Sequence, residues 1–346
     1  AGGGGGGFGM IPATMRKRCS TEDRLARLTA NGGTPACESA VIQSLDWIKQ
    51  HQHPDGSWGE SHRAAATGLA LLAYLGHCET PLSEKYGESV LTATMFLIAQ
   101  SKAQQGLLVD KKDDPLALHE HAIATMALAE AYVFNQTLQI SVPHLEETVR
   151  VAGQQILDRA SASGAWSVNP HDASADALLT CLNLQALKAC KHTGVDFRGL
   201  SATVIKALDA IKARKEPAGA LLLAHQQWGK SETPAAKAAL ANIPRQTPFQ
   251  WSPAATDLWT LYFDVHALYC DGGKKWTDFH ASLLPALLKA RAGDGSFPDP
   301  GKPALDSAAP LQSMLTGKSA EHFRTCLTTL TLEVYYRFIG PNGMAR

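Results

Sequence analysis

The chain has 346 residues, 45% of them hydrophobic, so it can bury a large core as one repeat-built domain or as two average domains. Its 32 basic residues balance 32 acidic ones, and no basic cluster extends beyond Arg16, Lys17 and Arg18, so nucleic acid and anionic membrane surfaces have no electrostatic reason to bind it. No apolar run reaches the roughly 18 to 20 residues of a membrane-spanning helix.

A glycine tract opens the chain, and residues 1–19 are predicted to form a flexible linker because glycine packs nothing. A linker at this place suggests a tether, so we expect an extracytoplasmic protein held to a membrane through a segment that precedes the tract. Ser20, with Asp23 three residues later, predicts the cap of a short helix. This helix and its connection occupy residues 20–37.

From residue 38 to 340 two kinds of helical pattern alternate. Residues 38–52 are amphipathic, with one polar side that faces solvent, and we call such a helix wet. The segment "RAAATGLALLAYLG" after them is apolar all round and must be buried on every side, and we call such a helix dry. Six such pairs follow one another with an uneven period of roughly 50 residues, which is typical of helical-hairpin arrays. The last dry segment is as apolar as the first, so no polar end repeat is visible. We therefore predict an all-α fold, an α/α toroid of about six hairpins closed into a ring, with dry helices inside and wet ones outside. Residues 341–346 form a tail.

The turn between the first two helices carries a family resemblance. "QHPDGSW", from Gln52 to Trp58, fits the Gln-x3-Gly-x-Trp core of the QW motif, and "SGAW" around Gly164 and "DGSF" around Gly295 look like degenerate copies. Residues 38–339 resemble the terpenoid cyclase and protein prenyltransferase superfamily, in particular squalene–hopene cyclase-like repeat proteins. The resemblance implies the toroid fold. The glycine and tryptophan of such a turn fasten helices together and do no chemistry.

The cyclases of this family start their reaction with an aspartate of a DxDD motif at the start of an inner helix. The matching stretch is "HDASADALL", in which Asp176 matches the last aspartate but Ala173 and Ala175 replace the other two. The acid that would protonate an alkene is therefore expected to be missing. Asp172 and Asp176, four residues apart, remain an alternative acid pair, against the simpler interpretation of a helix cap and a solvated carboxylate.

The prenyltransferases of the family hold zinc with an Asp-x-Cys and a histidine. Here Asp257 is kept, but Trp259 stands in place of the cysteine and Arg324 in place of the histidine, and neither can bind zinc. The seven cysteines show no CxxC pair and are expected to be small, mostly buried apolar residues. We predict no metal and no cofactor.

Polar residues at the starts of the dry helices would meet at one rim of the ring. They are His62, Arg63, His119, His121, Asp172, Asp176, Asp257 and Arg324. Helix amino termini, with Arg63 and Arg324, would favour an anionic ligand at this rim. His119 and His121 diverge by about 200° on a helix, so only one of them can face the centre.

Aromatic residues on the helix after Asp257 offer a second candidate surface. Trp259 and Tyr262 would line a cavity with ring faces that suit an isoprenoid or a sugar, although aromatics at this spacing are more often core. Asp264 and Asp271 are a candidate carboxylate pair for glycan chemistry.

These observations predict a toroid that binds a small molecule, anionic or isoprenoid, or a protein partner in its central cavity or at its rim. The alternatives are an enzyme with displaced acids, either an isoprenoid cyclase or a glycan-acting enzyme, and a purely structural interaction module. An open cavity with converging polar groups would favour the first two, and a filled centre would favour the third.

Overall fold

The computed structural model describes residues 18–168, 176–243, 249–252, 257–301 and 309–337. The regular elements in these ranges are all helical. In chain order they are α1 (Thr21–Ala30), α2 (Pro35–Gln50), α3 (Arg63–Gly76), α4 (Gly87–Ala103), α5 (Ala117–Thr137), α6 (Leu145–Asp158), α7 (Ala177–His192), α8 (Leu200–Ile211), α9 (Ala218–Gln227), α10 (Pro234–Asn242), α11 (Leu258–Asp271), α12 (Gly273–Ala290), α13 (Ala309–Gln312), a 3-10 turn (Ser313–Leu315), α14 (Ala320–Leu332) and α15 (Val334–Arg337). Among them, no helix is both long and apolar enough to cross a bilayer.

Six helices form a closed inner ring. The order of contact is α3, α5, α7, α9, α11, α14 and then α3 again, while α2, α4, α6, α8, α10 and α12 lie outside. Every residue of α3 after Arg63 is buried, whereas the outer helix α8 buries four of its twelve residues. The predicted all-α toroid, with dry helices inside and wet ones outside, is confirmed.

The ring closes where α14 meets the first hairpin. The hydroxyl of Ser319, just before α14, accepts hydrogen bonds from the backbone N–H groups of Glu60 and Ser61 at 2.8 and 3.0 Å. A ring nitrogen of His322 lies 2.9 Å from the carbonyl oxygen of Ala66 in α3. The seam therefore joins residues that are more than 250 positions apart in sequence.

Three turns between outer and inner helices share one hydrogen bond. In each, the backbone N–H of the aromatic residue donates to a threonine hydroxyl in the next inner helix. The pairs are Trp58 with Thr67, Trp166 with Thr180 and Phe297 with Thr325, each at 3.2 Å. The threonines are not part of the recognised turn sequence, and they show that the three turns are structural copies of each other.

The glycines of these turns allow the next outer helix to approach. Gly56 has a φ of 88°, and a Cβ atom there would collide with the carbonyl oxygen of Thr92 in α4. Gly295, with a φ of 96°, lies in the same way against the carbonyl oxygen of Gln43 in α2, across the closure of the ring. The amide of Gln52 adds hydrogen bonds to α4, to the carbonyl of Ser89 at 3.1 Å among others. Only glycine combines this backbone angle with this contact.

A buried charge network lies between the carboxyl-terminal halves of α3 and α5 and the end of α15. Glu130 contacts Arg18 at 2.7 Å and Arg337 at 2.8 Å, and Arg337 also donates to the carbonyl oxygen of Leu72 at 2.6 Å. Burial raises the pKa of Glu130, but the two guanidinium groups outweigh it and hold the pKa below its ordinary value. The network ties Arg18, from the last part of the predicted linker, to the inner ring.

The cysteines were predicted to be small, mostly buried apolar residues, and two of them depart from this prediction. Cys19 and Cys78 form a disulfide with a Cα–Cα distance of 4.9 Å. The segment before α1 folds back beside the loop after α3, and this tertiary approach leaves no trace in the spacing of the cysteines. Cys37, Cys181 and Cys326 are buried and free, as predicted.

Beside the disulfide, a buried histidine joins two carboxylates. His77 contacts Glu38 at 3.1 Å through Nε2 and Glu79 at 2.7 Å through Nδ1. Burial lowers the pKa of His77, but these two hydrogen bonds outweigh it and raise the pKa above its ordinary value of 6.5. The protonated ring is therefore the form that the fold stabilises.

Replacing His77 with glutamine is expected to destabilise the protein in a way that depends on pH. Because the pKa of His77 is higher in the folded chain than in the unfolded one, its contribution is complete below pH 6.5 and is lost as the pH rises through the folded value. Urea unfolding of both proteins between pH 5.5 and 9 should show the largest difference at the acidic end. His53→Gln, at a more exposed histidine, is the control, and a difference for His77→Gln that grew with pH would contradict the ion pair.

Candidate functional site

A cavity of about 420 Å³ lies at the amino-terminal ends of the inner helices. We call it the rim cavity, and its lining residues are His62, Asp114, Pro115, Leu116, His119, Val168, Asp176 and Ser313. The starts of α3, α5 and α7 meet here, because a ring of parallel inner helices places its amino termini on one side. The volume falls within the range of small-molecule sites, roughly 300 to 1,000 Å³.

One wall of the rim cavity holds a histidine between two carboxylates. His62 Nδ1 lies 3.0 Å from Glu120 Oε1 and 3.9 Å from Asp114 Oδ1. Glu120 is fully buried, and its other oxygen accepts a hydrogen bond from the backbone N–H of Asp110 at 3.4 Å. His62 precedes α3 with a φ of 50°, a left-handed conformation that few residues other than glycine adopt.

The pKa values of both members of this pair are raised, for different reasons. The hydrogen bond to Glu120 raises the pKa of His62, although burial opposes it. Burial raises the pKa of Glu120, although His62 opposes this. The imidazole and the carboxylate therefore each hold a proton more strongly than the same group does in water. Shifts of this kind are common in acid–base sites.

His119 is the most unusual residue of the rim cavity. It has no exposed surface, and neither of its ring nitrogens has a hydrogen-bond partner among the described residues. Burial lowers its pKa to about 4, although the charge of Asp176 opposes this, so the ring is neutral at pH 7 with one donor and one acceptor unused. A buried polar group without a partner costs about 1–3 kcal/mol, which a bound ligand would recover.

Asp176 lines the same cavity, but one of its oxygens has a structural task. Oδ1 accepts a hydrogen bond from the backbone N–H of Leu179 at 3.0 Å and so caps α7. Asp172, the other member of the proposed acid pair, lies outside the described residues.

The two arginines predicted at the rim do not reach the cavity. Arg63 donates to Asp55 and Ser57 in the preceding turn, and its guanidinium group lies 5.0 Å from the ring centre of Phe96. Arg324 donates to the carbonyl oxygen of Phe297 at 3.3 Å. Both guanidinium groups form hydrogen bonds to turns and do not face the cavity. The prediction of an anionic ligand depended on these two charges, which are therefore not available to bind it.

His121 faces away from the rim cavity. Its Nδ1 accepts a hydrogen bond from the backbone N–H of Leu108 at 3.0 Å, and its Nε2 donates to the carbonyl oxygen of Ala152 in α6 at 3.1 Å. Burial lowers its pKa to about 3, so it remains a neutral structural residue. Of the two histidines, His119 is the one that reaches the cavity.

The residues around the start of α11 pack in the core instead of lining the rim cavity. Asp257 caps α11 through the backbone N–H groups of Trp259 and Thr260 at 3.2 and 3.3 Å. Trp259 is buried and donates from its indole to the carbonyl oxygen of Leu311 at 3.2 Å. Tyr262 is likewise buried, against neighbouring rings of its own helix. The aromatic surface predicted for an isoprenoid is thus part of the packing.

Asp264 and Asp271 do not form the carboxylate pair of a glycosidase. They are seven residues apart on α11, which is about 10 Å along the helix axis and more than the roughly 5 to 9.5 Å that such pairs span. Burial raises the pKa of Asp264 to about 8, so its carboxyl group, packed against Gly219 of α9, is protonated at neutral pH.

The two acids beside His62 were not predicted as site residues. Glu120 stands between two histidines that are themselves candidate site residues, and Asp114 lies in a loop, whose approach to the inner helices has no sequence pattern. An acid in the first turn of an otherwise apolar inner helix was the available signal, because burial of such a charge needs a reason.

No protein-family model and no curated protein matches the chain. It is similar in structure to two variants of the type II terpene cyclase MstE from Scytonema. The variant in complex with its substrate, geranylgeranyl dihydroxybenzoate, superposes with a TM-score of 0.50 at 12% identity, over 92% of this chain and 98% of that one. The apo variant superposes with a TM-score of 0.47 at 11% identity, over the same shares of the two chains. The fold of this chain is therefore like that of a type II terpene cyclase.

Proposed function

We propose that this protein is a ligand-binding toroid that holds a small molecule in the rim cavity. The observation that carries the proposal is the His119 ring, which is fully buried at the cavity with both nitrogens unpartnered among the described residues. A ligand with one donor and one acceptor would complete its hydrogen bonds.

The charges around the rim cavity select the class of ligand. Asp114 and Asp176 line it together with His62 and His119, and Glu120 lies behind His62, so three acids surround two histidines, of which His119 is kept neutral by burial. A positively charged or neutral ligand that donates hydrogen bonds therefore fits better than an anion. Pro115, Leu116 and Val168 supply apolar surface for the rest of the molecule, and an isoprenoid body is the first choice because MstE binds a prenylated substrate.

An isoprenoid cyclase remains the second candidate. It is favoured by the position of Asp176, which lies at the cavity close enough to His119 for its charge to act on that ring. Cyclisation of an alkene would need a strong acid at this place, whereas Asp176 already accepts the capping hydrogen bond of α7.

Three geranyl compounds that differ in charge test the proposal. In calorimetric titrations with EDTA present, we expect geranylamine to bind most tightly, geraniol less tightly, and geranyl diphosphate least. Val168→Trp should narrow the cavity and weaken the binding of geranylamine at least tenfold, because Val168 is a half-exposed part of its lining. Leu82→Trp, at an exposed residue after α3, is the matched control and should change nothing.

Equal affinity of the Val168→Trp variant and the unchanged protein, or binding of none of the three compounds, would contradict a ligand site in the rim cavity. Gas chromatography of the incubated mixtures decides between binding and catalysis. We expect geraniol to be recovered unchanged, and a cyclised product that Asp176→Asn abolishes would establish the second candidate instead.

A further inference from the structure

We propose that His62, Asp114 and Glu120 bind a divalent transition-metal ion, with Zn²⁺ as the best fit, at the wall of the rim cavity. The ligand atoms of the three side chains all lie within 4.8 Å of one another. Tetrahedral zinc holds its nitrogen and oxygen ligands about 2.0 to 2.2 Å away, which places neighbouring ligand atoms about 3.3 Å apart. The distances from His62 to Glu120 and to Asp114, 3.0 and 3.9 Å, lie on either side of that value.

The balance of charge favours a cation over a simple ion pair. His62 immediately precedes α3, Asp114 lies in the loop before α5, and Glu120 is on α5, so three segments bring two carboxylates to one imidazole. One proton on His62 compensates one carboxylate and leaves the other. A divalent cation would compensate both carboxylates in a partly buried place where unpaired charge is costly.

His119 supplies an independent sign that the cavity takes a ligand. It is fully buried, lines the same cavity as His62 and Asp114, and has no partner for either ring nitrogen among the described residues. An ion pair between His62 and Glu120 does not account for this ring. A ligand or water on the metal ion, inside the cavity, would give the ring a partner.

The donor set selects the kind of metal. One imidazole and two carboxylates suit Zn²⁺ or Mn²⁺, whereas Mg²⁺ and Ca²⁺ prefer oxygen ligands alone. Three protein ligands leave a coordination position open toward the cavity. The inference deepens the proposed function. It rests on that function only for the identity of the ligand at the open coordination position, and not for the metal site itself. Sequence spacing had indicated no metal, since the three ligands follow no known motif.

Metal binding to the full chain tests the inference directly. After treatment with EDTA and its removal, titration with Zn²⁺ is expected to show one ion per chain, with an affinity at least a hundredfold higher than for Mg²⁺. Asp114→Asn should weaken the binding of Zn²⁺ at least tenfold while keeping the fold, because an asparagine oxygen can still accept the hydrogen bond of the Leu116 N–H that Asp114 accepts at 2.8 Å. Asp113→Asn, at the exposed neighbouring acid, is the matched control and should bind Zn²⁺ as before.

Absence of Zn²⁺ binding at 100 µM, or equal affinity of the Asp114→Asn and Asp113→Asn variants, would overturn the metal site. The titrations with geranyl compounds are made in EDTA, so they report on the cavity without metal. If the chain binds geranylamine but no Zn²⁺, this inference is wrong and the proposed function stands. If the chain binds Zn²⁺ but no geranylamine, the proposed function is wrong and this inference stands.

Discussion

Replacing Trp58 with alanine is expected to lower the free energy of unfolding by about 3–5 kcal/mol, the usual loss for a buried tryptophan. Trp58 has no exposed surface, and its indole N–H donates to the carbonyl oxygen of Ile48 at 2.7 Å. Its ring lies 6.1 Å from that of Tyr74 in α3 and 6.0 Å from that of His322 in α14. One side chain thus contacts an outer helix, its inner partner and the helix that closes the ring.

Urea unfolding followed by circular dichroism measures this loss. Trp58→Phe keeps most of the packing and should lose only about 1 kcal/mol, the usual net contribution of one hydrogen bond, because the Ile48 carbonyl oxygen still accepts from the backbone N–H of His51 at 3.2 Å. Trp228→Ala, at a partly buried tryptophan, is the control for general loss of aromatic area and should cost less than Trp58→Ala. A larger loss for Trp228→Ala would show that the turn is not the main fastener of this hairpin.

Replacing Glu130 with alanine is expected to cost about 3–5 kcal/mol, because it leaves two buried guanidinium groups with only Glu333 beside them, an acid whose pKa is raised by burial to about 8. Arg18 and Arg337 both contact this carboxylate, and both are more than nine-tenths buried. A triple variant, Arg18→Met, Glu130→Leu and Arg337→Met, should recover much of the loss, since it removes the charges together.

The comparison of the single and triple variants separates charge from packing. Glu146→Ala removes an exposed carboxylate that contacts Arg150, and we expect a change of less than about 0.5 kcal/mol, as for most surface ion pairs. If the triple variant were as unstable as Glu130→Ala, lost packing and not unpaired charge would explain the effect.

The ring could be predicted because it depends on the polarity pattern of each helix, which is local in the sequence. A helix that is apolar all round has to be inside, and one with a polar side has to be outside, so the alternation alone orders the layers. Helix ends were less accurate. The first amphipathic segment, predicted over residues 38–52, forms the helix α2 from Pro35 to Gln50.

The site could be predicted only as far as topology determines it. Parallel inner helices bring His62, His119 and Asp176 to one cavity without any knowledge of their contacts. The side chains of Arg63 and Arg324 could not be placed, because their partners lie on turns whose approach is a tertiary event. Helical periodicity separates the two histidines of α5 but does not say which of them faces inward.

The seam between Ser319 and the first hairpin also constrains how the chain is made. A ribosome that adds roughly 5–20 residues per second needs tens of seconds to travel from Glu60 to Ser319. Throughout that interval one flank of α3 has no neighbour to cover it, and contacts of such long range form late in folding. The finished ring has no open end. The growing chain, in contrast, exposes the uncovered flank of α3 until its last inner helix is made. During that time it is most exposed to aggregation and to binding by a chaperone.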